Sequence, residues 1–240
     1  MMQYKKKFRA ILLAAGLGTR LRPLTNDKPK CLMEINGFPL IEYWLRNLEK
    51  CGCESVLINT HYLSEQVCSY LNKRMVSEME INTIHENNLL GTGGTLKKNL
   101  DFFGDGTGLL IHADNYTNLN LKSLIQAHEM NENNTLMTMV TFKTENPKQC
   151  GIVEVNKYNV LINFQEKPLC PKSCLANGAI YVFDKRFLNE FKKLKNTSDF
   201  SKDVIFKFKG KIQTWFTNDI LIDIGNPKSL DKAREKIIEL

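Results

Sequence analysis

The sequence predicts an α/β fold in which a mostly parallel sheet is covered by helices on both faces, with an added antiparallel part. Two observations predict it. Short apolar runs alternate with amphipathic segments through the first half of the chain, and this β-α-β-α order favours a parallel sheet. In the second half, two apolar runs flank the polar tetrapeptide at 156–159, a pattern that indicates an antiparallel hairpin.

The elements of the parallel part follow from apolar runs and from helical spacing. The first strand is predicted at 8–14, a compact apolar run. Apolar residues at helical spacing predict a helix over 41–48 that stops before Gly52, and another over 63–71 with Ser64 near its start. The same alternation predicts further strands and one more helix, namely strands at 56–59, 81–85, 109–113 and 136–142 and a helix at 121–128.

The antiparallel part and the end of the chain complete the series. Strands are predicted at 152–155, 160–164, 179–183 and 211–216. A last helix is predicted just after Pro227, with Leu230, Ala233 and Ile237 on one face. A chain of 240 residues, 42% of them hydrophobic, suits one large α/β domain, so we expect a single fused domain over 1–240.

The formal charge of +7 comes largely from short basic runs at 5–7, 192–195 and 202–211. Such runs are typical of solvated faces. Binding to nucleic acid would need aromatic residues interleaved with a basic face or a recognisable module, and the sequence contains neither. The charge therefore favours an acidic, phosphate-rich small substrate over a nucleic-acid partner.

The chain has seven cysteines, an odd number, and its first residues contain no cleavable apolar leader. The apolar run from Phe8 to Ala15 is too short to cross a bilayer. We therefore expect reduced thiols, a cytoplasmic location and no membrane partner. A zinc site formed by the cysteine pairs 51/53 and 170/174 is the alternative, but those spacings are not the common zinc motifs and no histidine is close to them.

The most informative stretch is the loop that directly follows the first predicted strand, Leu13-Ala14-Ala15-Gly16-Leu17-Gly18-Thr19-Arg20-Leu21-Arg22. Glycines let backbone N–H groups approach a ligand closely, and such amides beside a helix start stabilise phosphate oxygens. Arg20 and Arg22 add guanidinium groups that suit a polyphosphate. The loop is neither a Walker loop nor a dinucleotide-binding fingerprint, and by itself a glycine-rich turn is weak evidence.

The continuation of this loop identifies a family resemblance. With Pro29-Lys30 after Gly16 to Leu21, the chain strongly resembles the sugar-1-phosphate nucleotidyltransferases, whose signature is a strand, a G-x-G-T-R-L loop and a later P-K pair. The resemblance extends along almost the whole chain through Asn36 to Ile41, Leu90 to Thr95, Ile111 to Asn115, Glu166-Lys167-Pro168, Asn177-Gly178 and Asp223 to Pro227. It departs from the family pattern at Phe38, where a lysine is common, and at Ala113, where glycine is usual.

The resemblance implies a Rossmann-like, glycosyltransferase-A-like fold, with a nucleotide-binding half at about 1–115 and a sugar-phosphate-binding half at about 116–240. It also implies the roles of individual residues. The nucleotide would be bound by Leu13, Ala14, Ala15, Gly16, Gly18, Thr19, Arg20, Gly91, Thr92 and Gly93, and the sugar phosphate by Glu166, Lys167, Asn177 and Gly178. Arg20, Lys30 and Lys167 would be the catalytic cations, acting on the departing pyrophosphate, the triphosphate and the sugar phosphate respectively.

The glycines at 91–94, the neighbours Glu166 and Lys167, and His112 each need a further statement. The glycines at 91–94 would let a base lie against backbone, but a helix start explains them equally, and both can hold together. No salt bridge is expected between Glu166 and Lys167, because neighbours on a strand face opposite ways. His112 could lie on the same face as Asp114, although a structural histidine is the favoured interpretation.

Asp114 and Asp223 are the predicted metal ligands. Each follows an apolar run, and ligands of open α/β sheets bind at the carboxyl ends of the strands. Two such carboxylates brought together would hold Mg²⁺, the expected cofactor, with phosphate oxygens and water in its other positions. The alternative is that each aspartate only caps a nearby turn.

The resemblance implies an enzyme that joins an NTP to a sugar 1-phosphate and releases pyrophosphate. The loop at 90–94 is similar to that of guanylyltransferases acting on mannose or heptose 1-phosphates, so GTP is the expected nucleotide. The alternatives are the same reaction with CTP or UTP, and a catalytically silent protein that binds a sugar nucleotide and regulates a partner. The chain looks like the short form without a C-terminal β-helix, and assembly into a homo-oligomer is compatible with the resemblance.

Overall fold

A computed structural model describes residues 8–74, 78–131 and 134–238, so the basic run at 5–7 lies outside the described residues. The fold is mixed α/β with a mainly parallel central sheet, as predicted. The strands are β1 Phe8–Leu13, β2 Glu34–Ile35, β3 Phe38–Pro39, β4 Ser55–Thr60, β5 Glu80–His85, β6 Thr107–His112, β7 Asn115–Thr117, β8 Met137–Lys143, β9 Gly151–Val155, β10 Leu161–Glu166, β11 Leu175–Phe183, β12 Ile212–Phe216 and β13 Leu221–Asp223. The helices are α1 Leu40–Cys51, α2 Ser64–Lys73, α3 Thr92–Lys98, α4 Leu121–Glu129, α5 Lys185–Lys193 and α6 Pro227–Arg234.

The described residues form two compact units, each assembled from separate stretches of chain. The amino-terminal unit comprises residues 8–89, 111–121 and 219–238, and the central unit comprises residues 90–110 and 122–218. The predicted single domain, with halves that meet near residue 115, stays a prediction.

In the amino-terminal unit, β1, β4 and β5 lie side by side and parallel, with Leu12 opposite Ile58 and Ile58 opposite Thr83. The amide of Ala113 donates to the carbonyl of Leu13 at 3.1 Å, so the chain leaving β6 lies beside the end of β1. The carboxyl ends of these parallel strands share one edge of the sheet, the edge at which ligands of such sheets bind.

Helix α1 is amphipathic and ends where predicted, at Gly52, whose φ of 79° lies in the left-handed region that glycine adopts readily. Its buried face packs on a small ribbon formed by β7 and β13, in which Asp223 lies opposite Asn115. Trp44 Nε1 donates to the carbonyl of Asn115 at 2.8 Å and ties the helix to this ribbon. The apolar run before Asp223 predicted a strand end there, but β7 is only three residues long and its pairing with β13 was not predicted.

The central unit contains the predicted hairpin, in which β9 and β10 pair antiparallel with Phe164 opposite Val153. Strand β8 pairs antiparallel with β11 and parallel with β12. The sequence analysis missed helix α5, which the carboxylate of Asp184 caps by accepting from the amides of Arg186 and Phe187.

One sequence expectation at the end of the chain is wrong. Helix α6 begins at Pro227 and buries Leu230 and Ala233, but it ends at Arg234 and leaves Ile237 outside, with 81% of its surface exposed. The carbonyl of Lys236 accepts from Tyr116 Oη and Asn36 Nδ2, each at 2.8 Å, and these side-chain bonds hold the segment after the helix in another conformation.

Two features of the surface bear on the composition. The lysines of the runs at 192–195 and 202–211 are exposed, as expected of solvated faces. Within the part of the chain that the structure describes, no helix combines the length and apolar character needed to span a bilayer.

Candidate functional site

The glycine-rich loop leaves β1 at Leu13 and turns sharply at Gly18, whose φ is 63°. A Cβ at Gly18 would lie 3.0 Å from Thr25 Cγ2, so both the backbone conformation and the tight space favour glycine there. The hydroxyl of Thr25 donates to the Gly18 carbonyl at 2.8 Å and closes the turn. Leu21 is buried beneath the loop, whereas Arg20 and Thr19 are exposed, so the loop presents its polar side to solvent.

The base of the loop is tied to the neighbouring strand by Asn59, which the sequence analysis did not single out. Asn59 Oδ1 accepts from the amide of Ala14 at 2.7 Å and from that of Ala15 at 3.3 Å. Any contact of Ala14 or Ala15 with a nucleotide would therefore involve atoms other than these bonded amide hydrogens. The available signal was a polar residue at the end of the apolar run 56–58, at the ligand-binding edge of the sheet.

Lys30, Asp114 and Asp223 form one cluster in the amino-terminal unit. Lys30 Nζ lies 2.7 Å from Asp114 Oδ2 and 3.2 Å from Asp223 Oδ1. The lysine is largely buried, and Arg20 Nη2 stands 3.9 Å from Asp223 Oδ2 at the exposed side of the cluster. The structure therefore brings together three cationic or metal-ligand candidates from distant parts of the sequence, along with the arginine of the loop.

The two carboxylates of this cluster have opposite pKa shifts, although Lys30 lowers the pKa of both. Burial raises the pKa of Asp114, but the ammonium of Lys30 and the charge of His112 together outweigh that effect and leave the pKa below its ordinary value. Burial and the negative charge of Asp114 raise the pKa of Asp223. Burial lowers the pKa of Lys30, but the two carboxylates outweigh it, so the lysine holds its proton more tightly than a free one.

A small cleft of about 40 Å³ lies between the loop and this cluster. Its walls are formed by Leu13, Ala14, Gly16, Lys30, Cys31, Ala113 and Asp114. A Cβ at Gly16 would meet nothing within 4 Å, so the loop is open on that side. A Cβ at Gly225 would lie 2.8 Å from Arg20 Nη2 and 2.9 Å from Asp223 Oδ2, so the backbone at Gly225 passes close to the ends of these two side chains.

The predicted sugar-phosphate residues lie in the central unit. Glu166 ends β10, and Lys167 follows it with a positive φ of 48°. The expectation that these two neighbours do not pair is wrong, since Lys167 Nζ lies 3.8 Å from Glu166 Oε1. Alternation holds only along an extended strand, and the left-handed backbone at Lys167 turns its side chain back toward Glu166.

Asn177 and Gly178 occupy an irregularity in β11, where pairing with β8 shifts between Asn177 and Tyr181. Asn177 Nδ2 donates to Tyr181 Oη at 2.7 Å, and its Oδ1 accepts from the amide of Ala179 at 2.9 Å. Tyr181 is fully buried, and burial raises its pKa above the ordinary value. The sequence analysis missed Tyr181 as a partner of Asn177, because the bulge changes which side chains along the strand are neighbours.

Burial also raises the pKa of Glu166, with Lys167 and Lys202 opposing the shift and Asp199 adding to it. The negative charge of Glu166 adds to the raised pKa of Tyr181, so this carboxyl lies within electrostatic reach of the Asn177–Tyr181 pair. The role of these residues in sugar binding stays a prediction.

The glycines at 91–94 mark a helix start, the alternative that the sequence left open. Helix α3 begins at Thr92, and the amides of Gly93 and Gly94 donate to the Ser198 carbonyl at 2.9 and 3.3 Å. A Cβ at Gly93 would lie 2.2 Å from the carbonyl oxygen of Thr197, so this glycine permits close backbone packing. Recognition of a base by Gly91, Thr92 or Gly93 stays a prediction.

The remaining candidates concern metals and thiols. His112 is half-buried, and its charge contributes to the lowered pKa of Asp114, while its structural role stays a prediction. All seven cysteines are free. Among the described residues, histidine, cysteine, aspartate and glutamate form no group of three or more that could hold a metal, so a site would have to use the aspartate pair with other ligands.

Comparison with known proteins identifies the family of this chain. The model of the family described as Nucleotidyl transferase matches residues 9–239. The chain belongs to that family. Its curated relatives place it among the sugar-1-phosphate nucleotidyltransferases.

Three relatives illustrate the range of this family. A putative mannose-1-phosphate guanyltransferase of Sulfolobus acidocaldarius is 28% identical over 96% of this chain and 63% of its own length. The D-glycero-alpha-D-manno-heptose 1-phosphate guanylyltransferase of Campylobacter jejuni is 29% identical over 91% of this chain and 95% of its own length. A UTP–glucose-1-phosphate uridylyltransferase of Synechocystis is 30% identical over 75% of this chain and 50% of its own length. The chain therefore spans less than two thirds of the length of the Sulfolobus and Synechocystis relatives and nearly the whole length of the Campylobacter relative.

The fold is shared with solved structures of this family. A putative glucose-1-phosphate thymidylyltransferase of Bacillus anthracis, solved with sucrose, superposes with a TM-score of 0.86 over 97% of this chain and 98% of its own, at 21% identity. A similarity at that identity establishes the fold but does not identify the substrate.

Proposed function

We propose that this protein transfers a guanylyl group from GTP to a sugar 1-phosphate, with mannose 1-phosphate or a heptose 1-phosphate as acceptor. A phosphate oxygen of the sugar phosphate attacks the α-phosphorus of GTP, and pyrophosphate leaves, giving a GDP-sugar. The observation that carries the proposal is the cluster in which Lys30 bridges Asp114 and Asp223 beside an open glycine-rich loop. Such a cluster suits the binding of a polyphosphate together with a divalent cation.

The described side chains favour catalysis by positioning and charge neutralisation, without a covalent nucleophile. We assign Lys30 to the triphosphate and Arg20 to the departing pyrophosphate. In the central unit, Lys167 is assigned to the sugar phosphate and Glu166 to sugar hydroxyls. Lys167 is exposed, and its ammonium lies 3.8 Å from the half-buried Glu166 carboxylate, which supports a role for this pair with a ligand that carries both a phosphate and hydroxyls.

Mg²⁺ is proposed as the cofactor, with Asp114 and Asp223 as its protein ligands. The donor set fits, since both are carboxylates, and the pair already holds one cationic group, the Lys30 ammonium, within 3.2 Å of each side chain. When bound there, Mg²⁺ would supply positive charge to the phosphates beyond that of the lysine and arginine.

Guanylyl transfer is supported by the similarity to the Sulfolobus and Campylobacter proteins, which are named for it, and by the loop at 90–94. A second candidate is uridylyl transfer, which the similarity to the Synechocystis uridylyltransferase favours. The two candidates share the phosphate chemistry and differ only in the base.

The proposal is tested by incubating the purified protein with Mg²⁺, each nucleoside triphosphate in turn and a panel of sugar 1-phosphates. We expect pyrophosphate release with GTP and mannose or heptose 1-phosphate, dependent on both substrates, with the GDP-sugar detected by mass spectrometry. Release with UTP alone would replace the proposal by the second candidate. Nucleotide binding with no release from any pair would contradict the proposal and favour a silent regulator.

A further inference from the structure

A buried amide–carboxylate pair lies directly behind the start of the glycine-rich loop. Asn59, near the end of β4, and Glu86, just after β5, are 4% and 2% exposed. Asn59 Nδ2 donates to Glu86 Oε1 at 3.0 Å, while Asn59 Oδ1 accepts from the amides of Ala14 and Ala15. Neither residue belongs to the catalytic or binding set assigned above.

The chemistry of the pair fixes which way the asparagine points. An amide side chain has one acceptor end and one donor end, and a carboxylate only accepts. Glu86 therefore holds the NH₂ group of Asn59 and leaves the carbonyl oxygen to face the loop. The main chain of Glu86 is itself held, since its amide donates to the Thr60 carbonyl at 2.8 Å and His61 Nδ1 lies 2.7 Å from its carbonyl oxygen.

The two amides that Asn59 binds stand where the backbone leaves the sheet for the loop. Ala14 also lines the cleft beside Lys30 and Asp114, so a shift of its backbone would move that wall of the cleft. Leaving two amides without an acceptor would cost more than the bonds themselves contribute, because the amides are largely removed from water. Asn59 can therefore fix the backbone conformation at the start of the loop before a ligand binds.

We propose that Asn59, oriented by Glu86, is a positioning residue that sets the backbone of Ala14 and Ala15 for nucleotide binding. The inference rests on the proposed function to the extent that the ligand of the loop is a nucleoside triphosphate. The local geometry itself can be measured without any turnover.

The test exchanges the hydrogen-bond donor and acceptor between residues 59 and 86. Asn59→Asp keeps an oxygen for both amides but sets a second carboxylate against Glu86, so it should displace the loop. Asn59→Asp combined with Glu86→Gln restores a donor–acceptor pair and the original net charge. We expect the nucleotide KM to rise about tenfold in the single variant, with kcat changed less, and to return to within about threefold of the original in the double variant.

Two readouts and one control make the test decisive. Hydrogen–deuterium exchange at residues 14–15 should be faster in Asn59→Asp and restored in the double variant, whether or not the protein is active. Asn82→Asp is the matched control, because Asn82 lies on β5 and donates to Ser55 Oγ at 3.2 Å, away from the loop. Circular dichroism and thermal unfolding of each variant report whether the fold is retained.

The inference is overturned if Asn59→Asp leaves KM and exchange unchanged, if the double variant stays as impaired as the single one, or if Asn82→Asp raises KM equally. Failure of the proposed function looks different. In that case the unmodified protein releases no pyrophosphate with any triphosphate, while the exchange pattern at residues 14–15 still supports or rejects the positioning role.

Discussion

At the scale of single residues, one ammonium group serves two carboxylates of different acidity. Lys30 Nζ is within 3.2 Å of both Asp114 and Asp223, yet the pKa of Asp114 is lowered and that of Asp223 is raised. The more buried Asp114 lies closer to the Lys30 ammonium than Asp223 does. The negative charge of Asp114 in turn raises the pKa of Asp223. The negative charge of Asp114 and Asp223 is thus partly offset by Lys30 in the protein as it stands.

The roles of these carboxylates can be tested by removing their charge without changing their shape. Asp114→Asn and Asp223→Asn should each lower kcat/KM by at least about a hundredfold, because an amide would bind Mg²⁺ more weakly and the positive charge of the metal at the polyphosphate would be lost. Steady-state pyrophosphate release measures the effect. Asp231→Asn is the control, since Asp231 is exposed and pairs with Arg234, 3.6 Å away in the same helix. Full activity in both site variants would remove the metal assignment.

Glu166 gives a pH-dependent prediction whose sign follows from its raised pKa. A carboxyl with a raised folded-state pKa contributes most to stability below the unfolded value of about 4.3, and loses that contribution as the pH rises through the folded value. Glu166→Gln should therefore raise the unfolding temperature at pH 7, and the gain should shrink toward zero near pH 4.

Differential scanning calorimetry at both pH values measures this difference. Glu235→Gln, at an exposed glutamate just after α6, is the control and should show no comparable trend. A gain from Glu166→Gln that is equal at both pH values would show that packing, and not ionisation, is responsible.

At the scale of elements, the start of α3 depends on the close approach of two backbones. Gly93→Ala should destabilise the protein by about 1–3 kcal/mol or more, because its Cβ would press on the carbonyl oxygen of Thr197, 2.2 Å away. Gly16→Ala is the matched control for stability, since its Cβ would meet nothing within 4 Å. Chemical denaturation of both variants measures the difference, and equal stabilities would contradict the packing explanation.

The elements also show where sequence patterns succeed and fail. β1, α1 and the β9–β10 hairpin were predicted close to their observed bounds, because each has a long enough apolar pattern and a clear end. β7 was missed, since three residues carry no readable period, whereas the apolar run before Asp223 predicted the strand end that β13 forms. Helix α5 was missed because its core residues, Phe187, Leu188 and Phe191, lie among lysines and its cap is a single aspartate.

At the scale of the whole molecule, a ligand that binds only the folded chain must stabilise it. Saturation at about one hundred times Kd should add about 2.7 kcal/mol to the free energy of unfolding. We expect GTP with Mg²⁺ to raise the unfolding temperature more than CTP or UTP with Mg²⁺, and EDTA to remove most of the difference. Differential scanning fluorimetry measures this, and a larger shift with UTP would favour the second candidate function.

The sequence by itself determined the α/β class, the phosphate-type loop after β1 and the ordered motifs that place the chain in its family. Those features are local, since periodicity and turn residues report only on the chain within a few positions. Only the tertiary structure decided that Asp223 joins Lys30, 193 positions away, and that Asn59 holds the start of the loop. The pairing of β7 with β13 positions Asp223, and the pairing of β1 with β4 positions Asn59. No pattern within one segment encodes the distance between two side chains on different elements.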